Sequence, residues 1–437
     1  MRGQTLNTHQ QQITQKLGLC GWENTKTFVT PDSLAHFSRA LIEALQTTDT
    51  VIITGGLGPT HDDLTLEYIS RTLGIKLESN LKAKKWLIQR FRKIGKKVNN
   101  FQLKQVLLPE GAVPMENKFG TAPGVFLQWP ADTEKSVIKN IFVLPGPPRE
   151  MEPLLESEIL PRLIQISADK THSLSCNLLI PLVYESEIAS KIAAELNGDD
   201  GFNIGIYPKV GMVQLHISKA YRKKTGAEKK FAKKISAITR KLKPLPVFEN
   251  AKDFFELVQN LIQTAGYTVS TAESCTGGMI ASQLTSMPGS SDFFKSGVVT
   301  YSNAEKVRQL QVEKERLETF GAVSFEIVAQ MASSITKLSG SSFGISASGV
   351  AGPAGGSSYK PVGTVFIGVS DGKTTDSHHF LMTGNRGMIR TKTVIAAYVA
   401  LYEKIKGVKY KIPCRVASKS FKSFPVSPKE LRPTVKR

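Results

Sequence analysis

The stretch YTVSTAESCTGGMIASQLTS, residues 267–286, indicates the fold class of this chain and contains its principal candidate site. A β-branched apolar run leads through Ser274 to the pair Gly277 and Gly278, and a run of helical length follows. A strand that passes through a glycine turn into a helix is typical of layered α/β sheets, which bind ligands at the carboxyl ends of their strands. A plain helix cap would not need two glycines, so we expect a ligand-binding turn around Ser274.

Strand-like and helix-like segments alternate in the same way on both sides of a middle region, residues 169–247, that has a different pattern. Examples before this region are TDTVIITGG and KNIFVLPGPPREMEPLL, and examples after it, near the candidate site, are FKSGVVTYS and SFGISASG. The alternation predicts parallel, layered sheets, whereas the middle region predicts a strand, a helix, a strand pair and a lysine-rich helix. The sequence therefore predicts an α/β protein with two three-layer α/β domains, residues 1–168 and 248–407, joined by a small α+β domain at 169–247. A basic, irregular tail is expected over 408–437, where prolines exclude a long helix.

Composition excludes several classes of protein. The 437 residues are 41% hydrophobic and 22% charged, an ordinary globular balance. The sequence contains neither a long uncharged apolar run nor the apolar centre of a signal peptide, so we expect a cytoplasmic protein that does not span a membrane. Four separated cysteines without a CxxC pair predict free thiols, and the pair His378 and His379 in an alternating stretch predicts structural histidines.

The net charge of +20 is concentrated in three segments, residues 82–97, 219–243 and 404–437. Such segments attract phosphate-rich partners, including nucleic acid. Solvated faces of two helices and a disordered tail account for them more simply. Aromatic residues do not alternate with the basic ones, so the pattern does not support a surface that stacks the bases of a single strand.

A second glycine-rich segment, VIITGGLGPTHDDLT, occupies residues 51–65. An apolar strand ends at Gly55 and Gly56, and paired carboxylates precede the next helix. Glycines let backbone amides approach a phosphate, and paired carboxylates can hold a divalent cation that bridges phosphate oxygens. A tight turn with an aspartate helix cap is an equally good interpretation of the pattern alone. The candidate nucleotide-site residues are Gly55, Gly56, Gly58, Asp62 and Asp63, of which Asp62 and Asp63 are the candidate metal ligands.

The chemistry expected at Ser274 is nucleophilic attack on a carbonyl, with nearby backbone amides stabilising the oxyanion. A serine needs a base, and no histidine in the C-terminal half suits that role, so the candidates are Tyr301 and Lys306 in SGVVTYSNAEKV. A third glycine-rich loop, SGVAGPAGGSSYKPVG, contains Gly352 and Gly355 and is suited to holding a phosphate or ribose. From these residues alone, a simple helix cap at Ser274 remains the alternative.

Several of these segments resemble the motifs of the CinA (competence/damage-inducible) family. They are TGGLGPTHDDLT, LPGPPREM, TAESCTGG, TYSNAEKV, GAVSFEIV and ASGVAGPAGGSSYKPVGTVFIGV. The resemblance implies a molybdopterin-binding-like domain, a KH-like domain and a C-terminal nicotinamide-nucleotide amidohydrolase domain. It implies hydrolysis of nicotinamide mononucleotide to nicotinate mononucleotide and ammonia, without a cofactor, in pyridine nucleotide recycling. It also implies ADP-ribose pyrophosphatase activity that depends on a divalent metal and potassium, and a homodimer.

The resemblance assigns roles to individual positions of the C-terminal half. It implies that Ser274 is the nucleophile and that Tyr301 and Lys306 are the essential tyrosine and lysine, either of which could be the base. Arg386 in TGNRGMIR would bind the substrate phosphate through its planar fork. Backbone amides near Thr276 and Gly277 would hold the oxyanion.

The N-terminus departs from the family pattern. Relatives have an apolar first strand before the position that matches Gly3, whereas this sequence starts two residues earlier than Gly3. We expect either that the start is misplaced downstream or that the first strand and part of the nucleotide site are missing. Two alternative functions are a pterin- or nucleotide-binding protein of cofactor metabolism and a nucleic-acid-associated competence factor.

Overall fold

The computed structural model describes residues 7–19, 22–132, 137–166, 172–221, 225–251 and 253–422, which form a mixed α/β protein with several sheets. The chain divides into two compact units. One consists of residues 1–174 and 220–225, and the other of residues 175–219 and 226–437. Most of the predicted middle domain therefore belongs to the same compact unit as the C-terminal domain.

The first unit contains seven α-helices and six strands among its described residues. The helices are α1 (His9–Leu19), α2 (Leu34–Thr47), α3 (Thr65–Leu73), α4 (Leu81–Lys93), α5 (Asn100–Leu103), α6 (Pro148–Leu154) and α7 (Leu160–Ile166). The strands are β1 (Thr50–Thr54), β2 (Leu77–Ser79), β3 (Leu107–Pro109), β4 (Val113–Met115), β5 (Gly124–Asp132) and β6 (Val137–Leu144). A 3₁₀ turn, Lys104–Val106, precedes β3, and a π turn, Leu155–Ile159, joins α6 to α7.

The main sheet of this unit has the order β1-β6-β5-β4. Successive side chains of β6 point to opposite faces of the sheet, so they pack in different hydrophobic cores. Ile141 packs with residues of α2, α3 and α4, whereas Phe142 packs with residues of α1, α6 and α7. Helices thus cover both faces, and the predicted three-layer arrangement is confirmed for this unit.

The predicted middle region contains the expected kinds of element. Its strands are β7 (His172–Pro181), β8 (Asn203–Lys209), β9 (Met212–Tyr221) and β10 (Phe248–Glu249), in the order β10-β7-β9-β8. Its helices are α8 (Glu185–Lys191), α9 (Ala193–Leu196) and the lysine-rich α10 (Ala227–Leu242). Leu179, Leu182 and Phe248 belong to the same hydrophobic core as Tyr398 of the C-terminal region. This shared core explains why the middle region does not separate as a compact unit of its own.

The C-terminal region contains six α-helices and six strands among its described residues. The helices are α11 (Phe254–Thr264), α12 (Met279–Leu284), α13 (Asn303–Leu310), α14 (Lys314–Phe320), α15 (Phe325–Ser339) and α16 (Arg386–Lys406). The strands are β11 (Val269–Glu273), β12 (Phe294–Val299), β13 (Phe343–Gly349), β14 (Thr364–Ser370), β15 (Thr374–Leu381) and β16 (Arg415–Lys422). A short 3₁₀ turn, Ser290–Asp292, precedes β12.

These strands form one sheet with the order β12-β11-β13-β14-β15-β16. Val269 of β11 faces the core that includes α11, α12 and α16, whereas Ala272 of the same strand faces α13, α14 and α15. Only the first three strands, β12, β11 and β13, are parallel to one another, whereas β14, β15 and β16 each pair antiparallel with the preceding strand of the sheet. The prediction of parallel sheets is confirmed for part of each main sheet only, since the main sheet of the first unit also contains antiparallel pairs.

The prediction of an irregular tail over 408–437 was wrong for residues 415–422. These residues form β16, which pairs with β15. Arg415 anchors the strand, because its guanidinium donates to both carboxylate oxygens of the buried Glu403, at 3.0 and 2.6 Å. The rest of the predicted tail, residues 423–437, lies outside the described residues. In the described part of the chain, every helix is too short or too polar to cross a bilayer.

Candidate active site

The candidate nucleophile lies where three parallel strands end. Ser274 follows β11 directly, and its backbone amide donates to the carbonyl of Ala347 in β13 at 3.0 Å. Gly277 and Gly278 have φ angles of +59° and +92°, a left-handed conformation that strains other residues, and α12 begins at Met279. The structure confirms the predicted strand, glycine turn and helix.

Glu273 is a site residue that the sequence analysis missed. Its carboxylate is fully buried and accepts from the backbone amides of Gly278, Ile280 and Ala281 at 3.0, 3.0 and 2.8 Å. The negative charge satisfies the amides at the start of α12 and compensates its positive end. These three amides are therefore unavailable to a substrate. An acidic residue at the end of a buried strand was the available signal.

The turn leaves two amides for a ligand. Gly277 donates its amide to the carbonyl of Ser274 at 3.1 Å, and Met279 donates to that of Thr276 at 3.3 Å. Within the described residues, the amides of Cys275 and Thr276 donate to no other residue. Both residues are buried, and buried amides are rarely left unpaired, so these two amides are the candidate donors to a ligand. The geometry supports the predicted use of Thr276 but commits the amide of Gly277 to the turn itself.

Lys306 is buried beside the serine. The residue lies in the first turn of α13, which Ser302 caps by accepting from the amide of Glu305. Its Nζ is 3.1 Å from the Oγ of Ser274, 2.8 Å from the carbonyl oxygen of Thr300 and 3.3 Å from that of Tyr301. None of these partners carries a negative charge, and burial lowers the pKa of the lysine below its usual 10.5.

Tyr301 and Arg386 form a separate, solvent-accessible part of the site. The Tyr301 side chain is 62% exposed, and its hydroxyl accepts from Nη2 of Arg386 at 3.1 Å. Nη1 of Arg386 donates to the carbonyl of Gly352 at 2.8 Å. The structure thus connects two predicted residues, Tyr301 and Gly352, by hydrogen bonds to a third, Arg386. Gly355 occurs in the same loop, with a φ angle of +89°, but no described hydrogen bond connects it to the others.

Arg390 is the second residue that the sequence analysis missed. Its Nη2 donates to the carbonyl of Thr276 at 2.7 Å, and its Nε is buried without a hydrogen-bond partner among the described residues. A Cβ atom at Gly277 would lie only 3.2 Å from the same Nη2. Arg390 follows Arg386 by four positions on α16, and this spacing, which places both on one helix face, was the available signal.

Cys275 does not compete with Ser274 as a nucleophile. Its side chain is buried, and burial raises the pKa of the thiol to about 12, so it stays protonated at neutral pH. This agrees with the prediction of free, structural thiols for Cys176, Cys275 and Cys414, whereas Cys20 lies outside the described residues.

The two adjacent histidines are structural, as predicted. Nδ1 of His378 lies 2.8 Å from the hydroxyl of Ser418, and burial lowers the pKa of His378 to about 3. The ring of His379 stacks on Phe366 with centroids 4.5 Å apart. Both rings thus serve the packing of the sheet.

The N-terminal glycine segment forms a tight turn at the end of β1. The hydroxyl of Thr65 donates to the carbonyl of Gly55 at 2.8 Å. A Cβ atom at Gly56 would lie 2.2 Å from that hydroxyl, and one at Gly58 would lie 2.3 Å from the Asp63 carboxylate. The positive φ angles of Gly55 and Gly56 favour glycine at these two positions, and the close approach of Thr65 adds to this preference at Gly56.

Asp62 and Asp63 share a hydrogen-bond partner. The hydroxyl of Thr60 donates to both carboxylates, at 2.5 Å for Asp62, and the Thr60 amide donates to Asp63 at 2.9 Å. The hydroxyl of Thr60 is also the main reason why the pKa of Asp62 is lowered. No cluster of three or more potential metal-ligating side chains occurs in the described ranges. An exposed and a half-buried carboxylate, those of Asp62 and Asp63, are nevertheless oxygen ligands of the kind that Mg²⁺ takes.

Comparisons with known proteins agree with this architecture. A probable molybdopterin binding domain matches residues 1–165, and the CinA C-terminal domain matches residues 251–405. A CinA-like protein of Kosmotoga olearia is 36% identical over 395 residues, covering 90% of this chain and 94% of the relative. A putative competence-damage inducible protein of Acetivibrio thermocellus is 33% identical over 398 residues, covering 91% and 94%.

Solved structures also match part of the chain. The competence/damage inducible protein CihA of Agrobacterium tumefaciens is 40% identical, covers 34% of this chain and 96% of its own, and has a TM-score of 0.33. The competence damage-inducible protein A of Klebsiella pneumoniae is 34% identical, with coverages of 36% and 100% and a TM-score of 0.35. The relatives that match over nine-tenths of the length decide the assignment. This chain belongs to the CinA family, with an N-terminal molybdopterin-binding-type domain and a C-terminal CinA domain.

Proposed function

We propose that the C-terminal domain hydrolyses the carboxamide of nicotinamide mononucleotide to nicotinate mononucleotide and ammonia. The observation that carries this proposal is the buried contact between Lys306 Nζ and Ser274 Oγ, 3.1 Å apart. A serine with an adjacent base and free amides is the arrangement that acyl transfer requires. The family resemblance supplies the identity of the substrate.

Lys306 is the general base in this proposal. A neutral amine has two N–H bonds and one lone pair, and the carbonyls of Thr300 and Tyr301 accept the two N–H donors. The lone pair is then left for the hydroxyl of Ser274. Burial lowers the pKa of the lysine and so favours this neutral form. Tyr301 is less suited to the role, because its exposed hydroxyl is hydrogen-bonded to Arg386.

The reaction proceeds through an ester of Ser274. Ser274 Oγ bonds to the carboxamide carbon as its proton passes to Lys306, and the amides of Cys275 and Thr276 hold the oxyanion. The carbon–nitrogen bond then breaks, and Lys306 returns the proton to the nitrogen, which leaves as ammonia. Water attacks the ester, Lys306 takes one of its protons, and Ser274 recovers that proton when the acid is released. The net change is one amide and one water giving one acid and one ammonia.

Arg386 provides the recognition of the substrate phosphate. No ion pair to a carboxylate is found for Arg386 in the described part of the chain, and its guanidinium touches only neutral oxygens. An accessible guanidinium without an acidic partner is suited to an anion, and its fork matches two phosphate oxygens. The glycine loop that carries Gly352 would hold the ribose and phosphate beside it.

The test is product analysis with the purified full-length protein and nicotinamide mononucleotide. We expect ammonia and nicotinate mononucleotide in equal amounts, without added metal. A folded protein that releases no ammonia would overturn the proposed reaction. Release of ammonia from nicotinamide riboside at the same kcat/KM would instead overturn the role of the phosphate.

For the N-terminal domain we propose metal-dependent hydrolysis of ADP-ribose. The supporting observation is the pair Asp62 and Asp63 beside the glycine turn, two carboxylates that would hold a Mg²⁺ ion. The ion would supply charge neutralisation at the diphosphate, and the family resemblance adds a potassium requirement. A variant with Asp62→Asn and Asp63→Asn should lose metal-dependent release of AMP while keeping ammonia release. Unchanged AMP release would remove these residues from the site.

The nucleic-acid alternative receives less support from the middle region. KH domains clamp the nucleic-acid backbone with a GxxG loop. The only GxxG in this region is Gly198–Gly201, and its central residues, Asp199 and Asp200, are acidic. Asp200 is already paired with Lys234 at 2.6 Å. Two carboxylates at that position would repel phosphates.

A further inference from the structure

The turn after β11 is held by a side chain 114 positions away in sequence. Nη2 of Arg390, on α16, donates to the carbonyl of Thr276 at 2.7 Å. We propose that Arg390 is a positioning residue of the amide hydrolysis, which keeps the turn in the conformation that leaves the amides of Cys275 and Thr276 free for the oxyanion. This inference rests on the proposed function and adds a residue to it.

The peptide between Thr276 and Gly277 is fixed at both ends. Arg390 binds its carbonyl, and the carbonyl of Ser274 accepts its amide at 3.1 Å. Glu273 fixes the next part of the turn through the amides of Gly278, Ile280 and Ala281. The amide of Met279 also donates to the Thr276 carbonyl, at 3.3 Å, so rotation of the peptide would break three hydrogen bonds. Both glycines of the turn would otherwise permit such rotation. The arginine therefore restrains the most flexible part of the site.

The charge of Arg390 also favours this role. Its guanidinium forms no ion pair with a carboxylate in the part of the chain that the structure describes, and its Nε is buried without a partner. An unneutralised cation next to the turn favours negative charge on a ligand bound to the adjacent amides. A Cβ atom at position 277 would lie only 3.2 Å from Nη2 of Arg390, so the glycine leaves room for the guanidinium.

A structural and a positioning role predict different kinetics. An arginine that merely joins α16 to the turn would affect stability and leave the catalysis of the folded enzyme unchanged. A positioning residue for the oxyanion acts on the transition state, so its loss lowers kcat and leaves KM nearly unchanged. Arg386 should show the opposite pattern, because it is proposed to bind the substrate phosphate.

The experiment compares wild type, Arg390→Met and Arg390→Lys as full-length proteins, with two readouts. One readout is kcat and KM for ammonia release from nicotinamide mononucleotide. The other is the rate at which a fluorophosphonate labels Ser274, measured by peptide mass spectrometry, which probes the serine and the oxyanion site without the proposed substrate. Lys392→Met is the matched control, because Lys392 lies on the same helix and also donates to a backbone carbonyl, that of Thr383, at 2.6 Å. Thermal melting confirms that each variant is folded.

We expect Arg390→Met to lower kcat by about 100-fold, with KM within about twofold, since a small displacement of a catalytic donor has effects of this order. The labelling rate should fall in parallel, Arg390→Lys should lose about tenfold, and Lys392→Met should match wild type. A folded Arg390→Met enzyme with kcat and labelling within about threefold of wild type would overturn the inference. If that variant does not fold, Arg390→Lys decides, and a kcat within about twofold of wild type overturns it. A wild type that is labelled at Ser274 but releases no ammonia would contradict the proposed substrate, while the labelling rates would still decide the role of Arg390.

Discussion

Lys306 Nζ lies 3.1 Å from Ser274 Oγ, although the two residues belong to different elements and are 32 positions apart. The contact is inside the protein, because Lys306 is 1% exposed and Ser274 is 8% exposed. Burial destabilises the charged ammonium form of a lysine, so the neutral amine, which can accept a proton, is more populated than it is in water. The proposed mechanism depends on this contact.

Replacing Lys306 should remove the base and leave the fold intact. Lys306→Met keeps most of the buried volume but has no lone pair to accept a proton, so we expect kcat to fall by about 10³-fold. Steady-state ammonia release is the measurement. Lys314→Met is the control, because Lys314 is 74% exposed on the adjacent helix and forms only a 3.8 Å surface pair with Glu318. A Lys306→Met enzyme with more than a tenth of the wild-type kcat would exclude the lysine as the base.

The pH dependence should follow the protonation of Lys306. Only the neutral amine accepts a proton, so kcat/KM should rise with pH through the pKa of the free enzyme. Because burial lowers this pKa, the rising limb should be centred below 10.5. A profile of kcat/KM against pH measures its position. The residual activity of Lys306→Met should not show this rise with pH. If the rise persists in the variant, a group other than Lys306 titrates.

Removing the guanidinium of Arg386 should weaken substrate binding specifically through the phosphate. We expect Arg386→Ala to raise KM for nicotinamide mononucleotide about tenfold or more, with little change in kcat, since charged hydrogen bonds contribute about 1.5–3 kcal/mol. Kinetics with nicotinamide riboside, which has no phosphate, provide the internal control. The variant and the wild type should treat the riboside alike. An equal loss with both substrates would show that Arg386 does not read the phosphate.

The last strand should depend on the ion pair that anchors it. Glu403→Gln leaves the guanidinium of Arg415 buried without its carboxylate, and both side chains of the pair are at most 10% exposed. Breaking a buried pair costs about 3–5 kcal/mol, so the free energy of unfolding in urea should fall by about that amount. Glu318→Gln, in an exposed pair, should change it by less than about 0.5 kcal/mol. Equal stabilities of the two variants would show that the buried pair does not anchor β16.

Local patterns were sufficient to predict the strand, turn and helix around Ser274. The β-branched run, the two glycines and the helical run are contiguous, so no distant contact is needed to recognise them. Tyr301 and Lys306 could be proposed as partners because parallel strands end at the same edge of a sheet. The proposal that Lys306 is the base could not be made from the sequence, because it rests on the positions of the lysine beside the serine and of the tyrosine beside Arg386.

Arg390 and β16 could not be predicted because their roles depend on distant contacts. The bond from Arg390 to Thr276 joins positions 114 apart, and the four-residue spacing that places Arg390 on the same helix face as Arg386 does not indicate this partner. Residues 415–422 are rich in serine and basic residues and resemble a tail. Pairing with β15 and the buried Glu403 make them a strand, which is a tertiary effect on a segment with weak local preference.

The most direct test of the central claim is the rate of ammonia release from nicotinamide mononucleotide by Ser274→Ala, measured beside wild type and Ser282→Ala. Ser282 is an exposed serine on α12, so its replacement controls for the loss of a hydroxyl near the turn. We expect activity in wild type and Ser282→Ala, and a loss of at least about 10⁴-fold in Ser274→Ala, as for other serine nucleophiles. Substantial ammonia release by a folded Ser274→Ala protein would contradict it, because the reaction would then not pass through an ester of Ser274.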